Sequence, residues 1–443
     1  MTNDCSRREK ILKPFHEKAD FMNERVAAGI EANRKGQLEL RVVDREGRPL
    51  PGLRLRLRQT GHAFKHGCNL FMLGGMESEA KEAAYRERFA EINNLGTLPI
   101  YWTDLEPEEG KLRFATDSPV RYRRPPVDLC LEYCVEQGIE PKAHCLNYDA
   151  FTPDWLPRDT VSVKRALERR FLVLAERYAG RIPGWEVTNE TFWERGRTDF
   201  YWDPEMVEWS FRLAERCFPQ NELIMNEATV PAWEPFHHNR GAYYMQIERA
   251  LAAGVRIDTI GLQFHMFYPA GREAEVTPTF YDPERIFAVM DLYAGFGRPL
   301  QITEVTIPAY SLQAEDEELQ AEIIRYLYSM WFAGAGMEAI VYWNLWDGYA
   351  YRAEPGDMSC GENYYHGGLL RFDGTVKPAF EVIRDLFGRV WRSDCRLESD
   401  SDGRAGCHVF YGDYEVEISG AGVRETRKLS FRRDGARDFE LRV

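Results

Sequence analysis

From Leu38 the chain alternates between apolar and polar residues. Leu38-Glu39-Leu40-Arg41-Val42-Val43-Asp44 leads into a turn at Arg45-Glu46-Gly47-Arg48-Pro49, and Leu53-Arg54-Leu55-Arg56-Leu57-Arg58 alternates again. A period of two on both sides of a turn predicts a hairpin of half-buried antiparallel strands. Residues 11–35 ahead of it read as an amphipathic helical lead-in. From about Cys68 the rhythm becomes short apolar strands followed by helical stretches, eight times over. The strands predicted are Cys68–Leu73, Leu98–Trp102, Lys142–Leu146, Gly184–Asn189, Glu222–Asn226, Thr259–Phe264, Leu300–Glu304 and Ala339–Leu345. Helices are predicted over Ser78–Asn93, Val127–Gln137, Ser162–Ala179, Pro204–Cys217, Phe236–Ala253, Pro283–Phe296, Ala314–Ala333 and Lys377–Phe387. Strands alternating with helices imply parallel βαβ units, and eight of them imply a closed (β/α)8 barrel. The rival is a doubly wound open sheet, but no Gly-rich dinucleotide fingerprint follows an early strand.

After about Ser393 the strand pattern returns, at Cys407–Tyr411, Tyr414–Ile418, Lys428–Arg432 and Phe439–Val443. A two-stranded hairpin cannot bury its face alone. The N-terminal hairpin and the C-terminal strands are therefore expected to form one small β-sandwich-like accessory domain beside the barrel. The division predicted is 1–66 for the N-terminal helix and hairpin, 67–392 for the barrel and 393–443 for the C-terminal strands. The accessory domain reads as a buttress rather than a carbohydrate-binding module, since no cluster of exposed aromatics stands out in 394–443.

Composition narrows the function. Of 443 residues, 44% are hydrophobic and 13% aromatic, with 11 Trp and 22 Tyr. Such flat faces with polar edges suit sugar rings as well as a packed core. Lys and Arg number 57 against 71 Asp and Glu, a net charge of −14, which argues against nucleic acid and anionic membranes as partners. No apolar h-region follows the polar start and no run approaches 18 apolar residues, so a cytoplasmic protein is expected unless a leader has been trimmed away. Nine cysteines without regular spacing fit a reducing compartment. Cys130 and Cys134 read as helix core. His62, His66 and Cys68 resemble metal ligands in type, but they lie in strand-like sequence without a carboxylate partner. Neither a metal nor a cofactor is expected.

Catalytic groups of a parallel barrel sit at the C-terminal ends of its strands. Those ends carry His144, then Asn189-Glu190, Asn226-Glu227, Gln263-Phe264-His265, Glu304, and Trp343-Asn344-Leu345-Trp346-Asp347. A buried carboxylate costs several kcal/mol unless paired, so Glu190 and Glu304 on one mouth call for a reason. Two carboxyl groups flanking one glycosidic bond are what sugar hydrolysis requires, and at ~5–5.5 Å apart one attacks the anomeric carbon while the other protonates the leaving oxygen. Glu304 is expected to be the ionised nucleophile and Glu190 the acid that reloads as a base. Asn189 can donate to the sugar 2-hydroxyl. His265 shares a strand face with Gln263 and can hold Glu304 in orientation, and Trp343 offers a platform beneath the sugar. Two other classes of barrel protein have different requirements. A sugar-binding protein on a dead barrel would commonly have lost a carboxylate. A metal-dependent barrel hydrolase would need a histidine pair at the first strand.

Taken in order, these segments resemble glycoside hydrolase family 10, the retaining endo-β-1,4-xylanases. Trp185–Glu190, Ile260–His265, Gln301–Val305 and Trp343–Asp347 look like its strongest signatures. Glu106–Gly110, Thr152–Leu156 and Lys377–Phe380 look like three more, and the likeness runs over roughly 65–390. It implies Glu190 as acid/base, Glu304 as nucleophile, and His144, Asn189, Asn226, Gln263, His265 and Trp343 around the central sugar. It also implies a carbohydrate substrate of the xylan or xylo-oligosaccharide kind. The departures cluster. Where the family grips the second glycone sugar with a Glu-Asn pair and a Lys, this chain has Thr97, Leu98 and Tyr101. Where Val-Trp-His should follow His144 stand Asn147, Tyr148 and Asp149, and Tyr351 replaces a second Trp. The alternative that follows is an exo-acting or specialised glycosidase for a decorated oligosaccharide or glycoconjugate.

Overall fold

The structure is a computed structural model that describes residues 6–233 and 238–443. The start of the helix predicted from Phe236 lies outside the described residues; the helix itself runs Ala242–Ala252.

Two strands of the N-terminal region, β1 (Lys35–Val43) and β2 (Arg54–His62), precede the barrel. The barrel strands are β3 (Lys65–Asn69), β4 (Leu95–Pro99), β5 (Glu140–His144), β6 (Gly184–Asn189), β7 (Glu222–Glu227), β8 (Thr259–His265), β9 (Leu300–Thr306) and β10 (Met337–Tyr342). They close in chain order, with β10 pairing parallel to β3. The eightfold (β/α)8 expectation therefore holds. Strands β3, β4 and β5 begin and end two to four residues before their predicted positions. The cause is visible at Leu70-Phe71-Met72-Leu73, an apolar run that is fully buried but non-strand, because it packs under the barrel mouth instead of continuing the ladder. A helix at Ala270–Phe280, unpredicted because Gly271 and Pro278 interrupt it, follows β8 and sets Phe280 against Phe264 of that strand.

The predicted hairpin does not form. β1 pairs antiparallel with β12 (Arg404–Phe410) and parallel with β15 (Asp438–Arg442), while β2 pairs antiparallel with β11 (Asp394–Glu398) and β13 (Gly412–Gly420). A fourth strand, β14 (Val423–Phe431), completes the second sheet. Each alternating strand buries one face as its pattern implies, but pairs with strands from the C-terminal segment. Leu38, Leu40 and Val42 of one sheet face Leu55, Leu57 and Val416 of the other, in one apolar core. Both terminal segments thus contribute to one two-sheet accessory unit.

The helical lead-in is two helices, Arg7–Glu17 and Ala19–Arg34, and both belong to the barrel rather than to the accessory sheets. The first opens with a capping box between Ser6 and Glu9, which satisfies two otherwise orphaned backbone donors. Its Ile11, Leu12 and Phe15 join the main core. The second approaches Ala333 so closely at Gly29 that an added Cβ would lie 2.5 Å from the Ala333 carbonyl. Cys130 and Cys134 are buried core. His66 is buried against the Ile92 carbonyl and Tyr328, and His62 against the Phe387 carbonyl.

Candidate active site

Of the eleven residues singled out, ten line one cavity of about 670 Å³ over the C-terminal ends of the strands: Tyr101, His144, Tyr148, Asn189, Glu190, Gln263, His265, Glu304, Trp343 and Tyr351. Asn226 does not line it. That residue is fully buried beneath the floor, with its amide nitrogen 2.7 Å from Asn189 Oδ1 and 3.2 Å from Glu304 Oε1 while its oxygen accepts from Thr303. The expected sugar contact at Asn226 is therefore corrected to a positioning one. Gly261 leaves the room it needs, since a Cβ there would stand 2.9 Å from Asn226 Oδ1.

The two carboxylates share one neighbour. The Gln263 amide nitrogen lies 3.0 Å from Glu190 Oε1 and 3.1 Å from Glu304 Oε1. These two oxygens can then be no more than about 6 Å apart, short of the ~6.5–9.5 Å that a water-activating inverting pair needs. Glu190 also accepts from the Tyr148 hydroxyl and, at 2.7 Å, from the Trp193 indole. It stands one residue past β6 at a positive φ of 49°, which turns its side chain into the cavity. Glu227 braces that turn, accepting from the Thr191 amide at 2.7 Å and the Thr191 hydroxyl at 2.9 Å. Burial, with Glu190 adding to it, pushes the Glu227 carboxyl up to about 8.

Beneath the floor, His144 joins an ion trio whose other two members, Lys142 and Glu186, had no role assigned from the sequence. Glu186 accepts from Lys142 and from His144 Nδ1, each at 2.5 Å. Burial opposes the Glu186 charge, but Lys142 and then His144 overcome it and hold the carboxyl down at about 2. Burial likewise opposes a charge on His144, but Glu186 outweighs it and raises the imidazole above its ordinary range. Its Nε2 is within hydrogen-bond distance of the Tyr101 hydroxyl, at 2.9 Å. Glu186 and Glu304 together with His144 could in type hold a metal ion. Lys142 already supplies the cation in contact with Glu186.

Glu304 departs from the expectation of a plainly ionised group. Burial, reinforced by Glu190 and Glu186 against His144, pushes it up to about 8. The hydrogen-bond chain agrees. Thr306 Oγ1 donates to the Trp343 carbonyl at 2.5 Å, so His265 Nδ1, 2.9 Å from that oxygen, must carry the imidazole hydrogen. Burial lowers His265 to about 4, which keeps it neutral. Its bare Nε2 then faces Glu304 Oε2 at 3.1 Å, and that contact is favourable when one proton lies in the pair.

One side of the mouth sets Tyr101 and Tyr351, which the sequence singled out, among residues it did not. The loops after β3, β4, β5 and β10 supply Phe71, Tyr101, Phe151 and Tyr351, and Arg124 stacks over Tyr101 with its guanidinium carbon 3.9 Å from the ring centre. Phe151 touches Tyr351 at 5.5 Å between centres, joining the β5 loop to the β10 loop. On the other side, the loops after β6 and β7 present Phe192, Trp193 and Val230, all exposed.

A parallel eightfold barrel with two glutamates sharing one amide at its C-terminal mouth defines the class: the architecture and site of a barrel glycoside hydrolase. Residues 84–386 match the profile of Glycosyl hydrolase family 10, more than half of the chain, and the chain belongs to that family. It is 22% identical to the anti-sigma-I factor RsgI6 of Acetivibrio thermocellus over 90% of this chain and 46% of that protein. It is 22% identical to endo-1,4-beta-xylanase 1 of Arabidopsis thaliana, over 87% and 36%. The chain thus spans less than half the length of these two relatives. Against endo-1,4-beta-xylanase B of Thermotoga neapolitana the identity is 24%, over 64% of this chain and 77% of that protein. Among solved structures, xylanase 10B from Thermotoga petrophila, in complex with xylobiose, superposes with a TM-score of 0.58 at 20% identity, over 74% of this chain and 95% of that one. The intracellular xylanase TsXylA of Thermoanaerobacterium saccharolyticum superposes at 0.54, with 17% identity over 72% and 95%. No helix among the described residues is long and apolar enough to cross a membrane.

Proposed function

We propose that the chain is a retaining β-glycoside hydrolase, xylanase-like in its bond-breaking chemistry. The observation that carries this is the single Gln263 amide within hydrogen-bond reach of both Glu190 and Glu304. In the first step Glu304, as carboxylate, attacks the anomeric carbon while Glu190 gives its proton to the departing glycosidic oxygen. The product is a glycosyl ester of Glu304. In the second step Glu190 takes a proton from water, the water attacks the same carbon, and Glu304 leaves. Asn189 Oδ1 is occupied by Asn226, so the Asn189 amide hydrogens are free to meet the sugar 2-hydroxyl, a bond that tightens as positive charge builds on the ring. Asn226 and Gln263 hold Glu304, and the Glu186 trio holds His144 and, through it, Tyr101.

Endo-1,4-β-xylanase action is the substrate reading that the relatives' names support. A second reading, exo action on a short or decorated oligosaccharide, is favoured by the wall over the side where family resemblance places the second glycone sugar. Thr97 and Leu98 are buried in β4 and contribute no contact there, and Tyr101 is packed under Arg124. Each lost hydrogen bond to a charged group is worth roughly 1.5–3 kcal/mol, so two or three missing ones would cost about two to six decades in efficiency on unsubstituted xylo-oligosaccharides. A panel of aryl β-glycosides and xylotetraose, with products separated by chromatography, tests both readings. Stepwise release of single sugars supports exo action, and a spread of product sizes supports endo action. Absence of hydrolysis across the panel would remove the hydrolase reading. The same proposal places the enzyme inside the cell, on imported oligosaccharides. The eight described cysteines, all unpaired, support that location.

A further inference from the structure

The wall concentrates positive charge in a chain whose net charge is −14. Arg123 and Arg124 stand just before the helix Val127–Gln137, only 3% and 4% exposed, and both line the cavity, as does the exposed Arg352 on its rim. Their acceptors are few. Arg123 donates to the Tyr349 carbonyl and to Asn344 Oδ1 at 3.2 Å, while its buried Nε has no partner among the described residues. Glu362 lies 3.7 Å away. Arg124 Nε reaches Asp104 at 3.3 Å and its Nη1 reaches the Arg123 carbonyl at 2.9 Å, leaving Nη2 without an acceptor among the described residues. Asp104 is shared with Arg121 at 3.2 Å. Arg352 has no carboxylate within ion-pair distance among the described residues; its contact is the Tyr351 ring. Of the carboxylates in the described residues, only Asp104 and Glu362 thus stand within ion-pair distance of Arg121, Arg123 and Arg124, and none does so for Arg352.

Guanidinium stays charged in proteins, and burying it is costly unless an anion answers it. Packing against aromatic rings recovers part of that cost, but a purely structural wall would have no use for unanswered charge directed at a cavity. The planar fork of arginine matches a carboxylate through two parallel hydrogen bonds. We propose that the glycone side of this cavity takes a sugar bearing a carboxylate, a uronic acid, with Arg124 and Arg352 as its counterions. The label of glycone side rests on the hydrolase reading above. The binding of the acid itself does not.

The test is a ligand-observed NMR titration of the intact protein with D-glucuronate, its methyl ester and sulfate, which separates binding from turnover. Glucuronate is expected to bind about tenfold or more tightly than the ester, as charge-assisted pairing predicts. Arg124→Met and, independently, Arg352→Ala should each erase most of that preference while ester binding stays unchanged. The exposed Arg352 keeps the test usable if the Arg124 variant misfolds. Equal affinity for glucuronate and its ester, no binding of either, or sulfate competing as well as glucuronate would overturn the proposal. Absence of aryl-glycoside hydrolysis by the unaltered protein would instead count against the hydrolase reading alone.

Discussion

The floor of the cavity and its wall are built by different means. His144, Asn189, Gln263, His265 and Glu304 belong to barrel strands, and Glu190 follows β6 by one residue. Their positions are fixed by closed-barrel register, and their polar atoms are tied to one another by short bonds. Tyr101, Arg124, Phe151 and Tyr351 sit on loops and meet by ring contacts and one stacked guanidinium. A scaffold of this kind can keep its chemistry while its loops rewrite which sugar it accepts.

The comparison can be broken hardest at the floor. Glu304→Ala should lose activity by about four decades or more, since no group remains to attack the sugar carbon. Azide should restore part of the rate with inverted product, because a small anion can fill the vacated place. Unchanged hydrolysis by this variant would end the assignment. Glu190→Ala should cost about two to four decades on substrates with poor leaving groups and far less in the first step on nitrophenyl glycosides, whose departure needs no proton. Equal losses on both would mark Glu190 as structural.

Acidity gives a smaller effect. Glu304 must be ionised to attack, and its carboxyl is raised to about 8, so the active form is lost as pH falls below that value. On a nitrophenyl glycoside kcat/KM should therefore climb about tenfold per pH unit toward about 8 and then level off. A profile flat down to the ordinary carboxylate range would show that Glu304 is already ionised. The same shift makes stability run the other way. A carboxyl raised above its unfolded value stabilises the fold at low pH, and that contribution is lost as pH rises through about 8. The smallest effect belongs to the wall. Tyr351→Ala should leave nitrophenyl-glycoside turnover within about threefold, since no floor atom moves, and should raise turnover of xylotetraose relative to it by about tenfold, on the order of one recovered contact. A collapse of turnover on both substrates would mean that wall and floor are not separable.

The floor was legible in sequence because strand ends are. Short apolar runs locate the barrel strands, and the polar residues that close them must face the mouth, so Glu190, Gln263, His265 and Glu304 could be placed without coordinates. Asn226 was placed on the right strand, but its depth was not readable, because that depends on Gly261 in the neighbouring strand. The alternation in β1 and β2 revealed which face is buried. It could not say that each strand would join a different sheet, because the partners lie some 350 residues further on. The wall was least legible. Arg123 and Arg124 sit in a Pro-flanked charged loop whose local pattern reads as solvated surface, and their burial comes from Phe71, Tyr349 and Asn344, far away in sequence.

The account turns on a covalent sugar ester at Glu304. A 2-deoxy-2-fluoro aryl β-glycoside of whichever sugar the protein hydrolyses fastest should form that ester and release it slowly, since the fluorine weakens the positive charge of both transition states. Mass spectrometry of the intact protein, followed by peptide mapping, should find one added sugar, carried by the peptide containing Glu304. A protein that turns the parent substrate over but carries no label, or carries it on another residue, would contradict the retaining mechanism set out here.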